Sequence, residues 1–140
     1  MPNIKHKLPI EAPVDVVFKA ITNREGLAGW WTAANTGKPE LGAIISFDFG
    51  EKYHNEMKIV RLELNRHVEW VCLKGDPEWV GTHFRFELEK SGENSAIMRF
   101  GQTGWREETD FYANCNYHWG HYMTSLKSYC EIGKGMPFEE

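Results

Sequence analysis

The 140-residue sequence lacks several features that would place it in a large class of proteins. No run approaches the roughly 18 apolar residues of a membrane span, so no transmembrane helix is predicted. Basic residues form no block and the formal net charge is −4, which argues against a nucleic-acid partner. The first residues contain no apolar signal-peptide core, and the expected location is therefore the cytoplasm.

Cysteine is scarce, and the patterns that hold metals are missing. Cys72, Cys115 and Cys130 form no CxxC pair and cannot all pair with one another, so free buried thiols are expected. Cys115, His118 and His121 recur at every third position, which spreads them over about 120° of a helix instead of one side. We predict no metal site and no cofactor.

Aromatic residues, in contrast, are abundant. Six Trp, five Tyr and eight Phe make up 14% of the chain. Such side chains fill cores, and they also line pockets for apolar or ring-shaped ligands. The balance of 41% hydrophobic and 26% charged residues is typical of a globular protein, and the length predicts one domain over residues 1–140.

Hydrophobic periodicity predicts the order of the elements. Alternation with a period of two predicts a first strand over Ile4–Ile10 and about five more strands between residues 44 and 103. Helical spacing predicts a short helix over 11–21 and a second one ending near Leu27. Residues 36–42 form a turn cluster. Asp110 is expected as the N-cap or first-turn acid of a final helix.

The final helix carries an apolar stripe that should pack against the strands. The stripe lies within an arc of about 120° and extends over about 20 residues. Its members are Cys115, Trp119, Tyr122, Met123, Leu126, Tyr129, Cys130 and Gly133. Short hairpins imply an antiparallel sheet, and helices at its ends pack on one face. The predicted class is α+β, with a curved sheet of about six strands around a long C-terminal helix.

A helix laid across a sheet can enclose a cavity, and the inward-facing side chains are the candidate ligand contacts. They are Trp30, Trp31, Phe47, Phe49, Met57, Trp70, Phe84, Phe86, Met98, Phe100, Gln102, Trp119, Tyr122 and Met123. For each of them, plain core packing is the alternative. Gln102 and Tyr122 are the polar groups expected to orient a ligand. Asp48, His83 and Arg99 have outward parity and are expected on a solvated face.

The layout and its residues resemble the heat-shock protein 90 ATPase activator homologue family, of the START-like or SRPBCC superfamily with the helix-grip fold. The resemblance covers nearly the whole chain. It rests on the segment 10–22, the pair Trp30-Trp31, the late strands with Thr82, Phe84, Phe86, Leu88, Met98, Phe100, Thr103, Gly104 and Trp105, and the last segment with Cys115, Trp119, 126–129, Glu131, Gly133, 134–135 and Pro137.

The resemblance implies a deep cavity between the curved sheet and the terminal helix. Superfamily members bind lipids, hormones or polyketides there, and some are cyclases or aromatases. The activators that name the family are co-chaperones with a second domain, for which this chain has no room. The family name also suggests a role in the stress response.

Three functions therefore compete. The first is a single-domain protein, without catalysis, that binds a small apolar or aromatic molecule. The second is a cyclase-, aromatase- or hydrolase-type enzyme in the same cavity, which would need converging polar groups with perturbed pKa values; a nucleophile pair of Cys72 or Cys115 with His83 is not expected. The third is a chaperone-regulating or other interaction module with an exposed apolar patch near Trp79 or Trp105. A homodimer is a further expected possibility.

Overall fold

A computed structural model describes residues 2–139 as a single sheet with three helices. The elements in chain order are β1 (Ile4–Ile10), α1 (Val14–Thr22), α2 (Arg24–Trp30), β2 (Asn35–Thr36), β3 (Ile44–Phe49), β4 (Tyr53–Glu63), β5 (His67–Lys74), β6 (His83–Gly92), β7 (Ser95–Thr103) and α3 (Asp110–Ile132). The α+β class and the helix-grip arrangement are confirmed.

The sheet is antiparallel throughout and has the order β1-β7-β6-β5-β4-β3-β2. Hairpins join β3 through β7, and β1 closes one side by pairing with β7. Two register shifts interrupt the β4–β5 ladder, between Glu56 and Met57 and between Ile59 and Arg61. Such bulges bend a strand and increase its twist.

The long helix α3 packs on the inner face of the curved sheet. Thr109 is its N-cap, and its hydroxyl accepts a hydrogen bond of 3.1 Å from the amide of Tyr112. Gly133 ends the helix with a φ of 79°, a left-handed conformation that glycine adopts without a Cβ penalty. The predicted stripe is buried at Cys115, Trp119, Met123 and Leu126, and half-buried at Tyr122, Tyr129 and Cys130.

Stacked aromatic rings fill the space between the sheet and α3. Trp31 is in the middle, with its ring centroid 5.8 Å from Trp30, 5.9 Å from Trp70 and 4.5 Å from Phe47. Trp119 approaches the same group from α3, at 5.3 Å from Trp31. Offset and edge-on contacts at these distances are favourable for aromatic rings. The centre of the fold is therefore packed and is not an open cavity.

The structure differs from the sequence prediction between the second helix and β3. The helix α2 continues to Trp30 instead of ending near Leu27, because the Trp30 indole donates a 2.7 Å hydrogen bond to the carbonyl of Ala20 on α1. The predicted turn cluster at 36–42 also begins one residue too early, because Thr36 belongs to β2. A two-residue strand has too few residues to show a period, and side-chain bonds of Asn35 to the carbonyls of Arg24 and Thr32 fix its position.

Candidate functional site

A pocket of about 240 Å³ opens at one end of the interface between α3 and the sheet. The wall consists of residues from five parts of the chain. They are Trp31, Phe49, Tyr53, Asn55, Asp76, Trp79, Phe111, Asn114, Cys115, His118, Trp119, Tyr122 and Phe138. Eight of these thirteen side chains are aromatic. Because a cavity of about 150 Å³ can hold benzene, this space is large enough for one ring with a short substituent.

The N-terminal half of α3 forms one side of the pocket. Cys115, Trp119 and Tyr122 follow one another at helical spacing and point toward the sheet, with His118 exposed at the rim. The opposite side is Phe49, whose ring centroid is 5.2 Å from Trp31 and 6.5 Å from Tyr122. The aromatic core of the fold therefore continues directly into the wall of the pocket.

The chain after α3 folds back and supplies another part of the wall. Ser125, buried on α3, donates a hydrogen bond of 2.9 Å to the carbonyl of Trp30 and accepts one of 2.6 Å from the amide of Met136. The amide of Phe138 then donates to the carbonyl of Trp31 at 2.7 Å. These bonds hold the Phe138 ring 5.4 Å from Phe49, edge to face.

The loop between β5 and β6 closes the remaining side. The carboxylate of Asp76 accepts a hydrogen bond of 2.9 Å from the amide of Glu78, and the carbonyl of Asp76 accepts one of 2.8 Å from Trp79. Glu78 is in turn bonded to the hydroxyl of Thr109 at 2.5 Å. Because Thr109 also caps α3, this pair of bonds fixes the loop relative to the helix.

Few polar groups face the pocket, and burial dominates their chemistry. Burial raises the pKa of the Cys115 thiol to about 11, the indole of Trp79 opposes that rise, and the charges of Asp76 and Glu78 add to it. Burial also raises the pKa of Tyr122. The buried indole N–H of Trp79 has no nitrogen or oxygen partner within residues 2–139. Its interaction with the Cys115 thiol, a weak acceptor, satisfies this donor less well than a bond to oxygen would.

The pocket brings together four of the fourteen predicted ligand contacts. They are Trp31, Phe49, Trp119 and Tyr122. The other ten pack away from it, and they are Trp30, Phe47, Met57, Trp70, Phe84, Phe86, Met98, Phe100, Gln102 and Met123. Gln102 is fully buried and bonded at both ends of its amide, accepting from Trp119 and donating to Thr82, each at 3.0 Å. These bonds occupy the amide within the core.

The sequence reasoning missed most of the loop and tail contributions. Phe138 follows the last helix and Asp76 lies between two strands, so neither belongs to a periodic pattern that would indicate its direction. Trp79 was expected in an exposed patch, yet it lines the pocket and packs on Phe84 at 5.1 Å. Trp105 is 1% exposed beneath Phe111 and Tyr112, so the expectation of a patch there is wrong. The available signal was an aromatic residue close to a proline in each segment, Trp79 near Pro77 and Phe138 after Pro137.

The outer face of the sheet carries the charges. The buried carboxylate of Glu69 is surrounded by His83 Nδ1 at 2.7 Å, His67 Nε2 at 3.1 Å and Arg85 Nε at 3.3 Å. Asp48 and Arg99 are also paired, with His54 and Glu89 respectively.

The strand geometry also separates the cysteines from the outer histidine. Cys72 points to the inner side and His83 belongs to the outer charged cluster, on neighbouring strands with opposite parity. Within residues 2–139 no group of three or more His, Cys, Asp or Glu could hold a metal ion. No helix in the same range has the length and hydropathy needed to cross a membrane.

Comparison with known proteins agrees with this architecture. The model of the family described as Activator of Hsp90 ATPase homolog 1-like protein matches residues 11–131. The chain belongs to this family, AHSA1. The match begins before α1 and ends within the last turn of α3, so it includes most of the pocket wall. No curated protein matches the chain.

Several solved structures share the AHSA1 fold of the chain. The Aha1 dimer from Colwellia psychrerythraea is 37% identical, with a TM-score of 0.86 over 96% of this chain and 100% of its own. Protein SSP2350 from Staphylococcus saprophyticus is 19% identical, with a TM-score of 0.80 over 96% of each chain. Protein MLL2253 from Mesorhizobium loti is 17% identical, with a TM-score of 0.80 over 91% of this chain and 95% of its own. The last two support the fold alone.

Proposed function

We propose that this AHSA1 protein binds a small aromatic or apolar molecule in the pocket beside α3 and does so without catalysis. The observation that carries the proposal is the wall of eight aromatic side chains around a space of about 240 Å³. Concave sites lined by apolar rings with a few polar groups are the usual form of small-molecule sites. The indole N–H of Trp79 interacts only weakly with the Cys115 thiol and can donate a stronger hydrogen bond to an oxygen of a ligand.

The chemistry of the pocket supports binding over turnover. Nucleophilic catalysis by cysteine needs a thiolate, and the raised pKa of Cys115, about 11, keeps this thiol protonated at neutral pH. Within residues 2–139, no side-chain oxygen or nitrogen of one lining residue is hydrogen-bonded to that of another. General acid–base catalysis relies on such positioned pairs. A cyclase- or hydrolase-type enzyme in this cavity is therefore the weaker candidate.

A blocking substitution tests the proposal. Toluene, a neutral one-ring probe, should bind the wild-type protein in saturation-transfer NMR, and Asn114→Trp should abolish this binding because Asn114 lies at the rim of the pocket. The matched control is Asn116→Trp on the same helix, where the native side chain accepts a bond from His6 away from the pocket. Equal binding by both variants, or no binding by the wild-type protein, would contradict the proposal.

A second proposal concerns assembly. The Colwellia psychrerythraea protein is described as a dimer, and we infer that the present chain also forms a homodimer. Exposed apolar side chains such as Leu41, Leu64, Tyr117 and Ile132 are available for a contact. Light scattering after size-exclusion chromatography should give twice the monomer mass, whereas a monomer at the highest attainable concentration would contradict the inference.

The family name raises the third alternative, a chaperone partner. The name refers to activation of the Hsp90 ATPase, and a direct measurement of that ATPase rate with and without this protein tests the relation. An unchanged Hsp90 ATPase rate, together with no co-purified chaperone, would exclude the chaperone partner. The cytoplasmic location remains a prediction, which fractionation of the source cells would check.

A further inference from the structure

The charges around the aromatic pocket point to the chemical class of its ligand. Asp76 is the one carboxylate among the lining residues, and none of the lining residues within 2–139 is a lysine or arginine. The neighbouring acid Glu78 is bonded to Thr109 and adds further negative charge. The wall therefore combines aromatic faces, which are electron-rich, with acidic charge.

Asp76 has no cationic partner in the part of the chain that is described. Its carboxylate accepts one hydrogen bond from the amide of Glu78, and no ion pair within residues 2–139 includes it. The nearby Arg106 donates instead to the carbonyls of Pro77 and Val80. Two other half-buried acids are paired, Glu131 with Lys127 and Glu56 with Lys74.

The effect of this charge reaches the interior of the pocket. The carboxylate of Asp76 adds to the rise in the pKa of two thiols, Cys115 in the wall and Cys72 on β5, beyond what burial alone produces. Both thiols therefore sense a negative potential that disfavours another anion. The same negative potential favours the binding of a cationic ligand in the pocket.

We propose that the pocket takes an arylalkyl ammonium ion, with its ring among Trp31, Phe49 and Trp119 and its charged nitrogen beside Asp76. This assignment rests on the proposed binding function and specifies its ligand. Aromatic faces attract organic cations, and a partly desolvated carboxylate adds to this attraction. The side-chain amide of Asn55, which is buried at the same wall, supplies an oxygen that can accept an ammonium N–H.

Three probes of nearly equal size test the preference for charge. They are 2-phenylethylammonium, 2-phenylethanol and phenylacetate, which are cationic, neutral and anionic. Titrations followed by the indole N–H signals of ¹⁵N-labelled protein report location, because Trp31, Trp79 and Trp119 line the pocket and Trp105 does not. We expect about tenfold tighter binding of the ammonium than of the alcohol, and still weaker binding of the carboxylate.

A single substitution then measures how much the Asp76 carboxylate contributes to the preference for the ammonium. Asp76→Asn keeps an oxygen for the amide of Glu78, so the loop should retain its turn. This variant should bind the ammonium about fivefold more weakly while its affinity for the alcohol changes less than about twofold. Glu93→Gln, which removes the same charge from an exposed hairpin, is the matched control and should retain the wild-type preference.

The outcomes separate this assignment from the function on which it rests. If the alcohol shifts the pocket signals and the ammonium binds no more tightly, the assignment fails and the binding function remains. Tighter binding of phenylacetate, or an unchanged preference in Asp76→Asn, would also overturn the assignment. If no probe shifts the signals of Trp31, Trp79 or Trp119, both the assignment and the proposed function are wrong.

Discussion

The indole nitrogen of Trp119 donates a hydrogen bond of 3.0 Å to the side-chain oxygen of Gln102, across the interface between α3 and β7. Both side chains are at most 2% exposed. The nitrogen of the same amide donates to the hydroxyl of Thr82. A buried amide with both ends bonded fixes how the helix lies on the sheet, because either partner would be left unpaired by a shift.

Loss of this contact should reduce stability. Gln102→Leu removes both bonds and leaves the Trp119 indole without an acceptor, so we expect a loss of about 2–3 kcal/mol in the free energy of unfolding. Trp119→Phe removes the donor, and the double variant should show a coupling energy of about 1 kcal/mol or more. Urea unfolding of all four proteins measures the cycle. Additive effects would show that the two side chains act independently.

The buried hydroxyl of Ser125 should control the tail that carries Phe138. Ser125→Ala removes the bonds to the carbonyl of Trp30 and from the amide of Met136, and we expect a loss of about 1–2 kcal/mol. Hydrogen exchange at the amides of Met136 and Phe138 should accelerate in this variant. Ser128→Ala is the control, because it removes one bond at a more exposed position. Equal protection of both amides in the two variants would refute the assigned role.

Two helical glycines should respond to alanine with opposite signs. A Cβ at Gly26 would lie 2.6 Å from the Cα of Ala20, a backbone atom that cannot move aside, so Gly26→Ala should separate α1 from α2 and destabilise the protein. A Cβ at Gly120 would meet nothing closer than 3.7 Å, at His6. Gly120→Ala should therefore stabilise the fold by about 0.5–1 kcal/mol. Melting temperatures of the two variants should move in opposite directions.

The outer-face cluster makes part of the stability dependent on pH. Burial raises the pKa of Glu69, but hydrogen bonds from His67 and His83 and the charge of Arg85 outweigh it, so the net pKa is lowered. A lowered carboxyl pKa contributes stability above the ordinary value of about 4.3, and this contribution is lost as the pH falls through the folded-state pKa. Glu69→Gln should cost about 1–2 kcal/mol near neutral pH.

The difference between wild type and Glu69→Gln should shrink toward zero as the pH falls below about 4. Urea midpoints at a series of pH values measure it. Glu87→Gln provides the comparison, since the Glu87 side chain is 54% exposed and its contact with His67 is 3.7 Å. A penalty that stays constant with pH would mean that the Glu69 charge does not contribute.

The inner face of the sheet was predictable from sequence because each strand keeps one parity in the core. Phe84 and Phe86 alternate with His83, Arg85 and Glu87 and are buried as expected. The end of α3 also agrees with the sequence, since Gly133 is the last residue of the predicted stripe and glycine is the usual residue just after a helix. These features follow from local spacing and from the special backbone of glycine.

The pocket was less predictable because its wall depends on contacts between distant parts of the chain. Periodicity reports which side of an element is buried, but it does not separate side chains that touch each other from those that face an open space. Phe47 and Phe49 have the same parity, yet only Phe49 lines the pocket. Phe138 reaches it through the bond of its amide to Trp31, which no sequence spacing indicates.

The alkylation rates of the three thiols can report how often each part of the fold opens. Burial raises the pKa of Cys72 and Cys115 to about 11 and that of Cys130 to about 12, and alkylating reagents attack the thiolate. Each cysteine should therefore be labelled only when its surroundings open. Labelling of Cys115 reports on the mouth of the pocket, labelling of Cys130 on the last turns of α3, and labelling of Cys72 on the sheet. Their separate rates would resolve whether the molecule opens region by region or all at once.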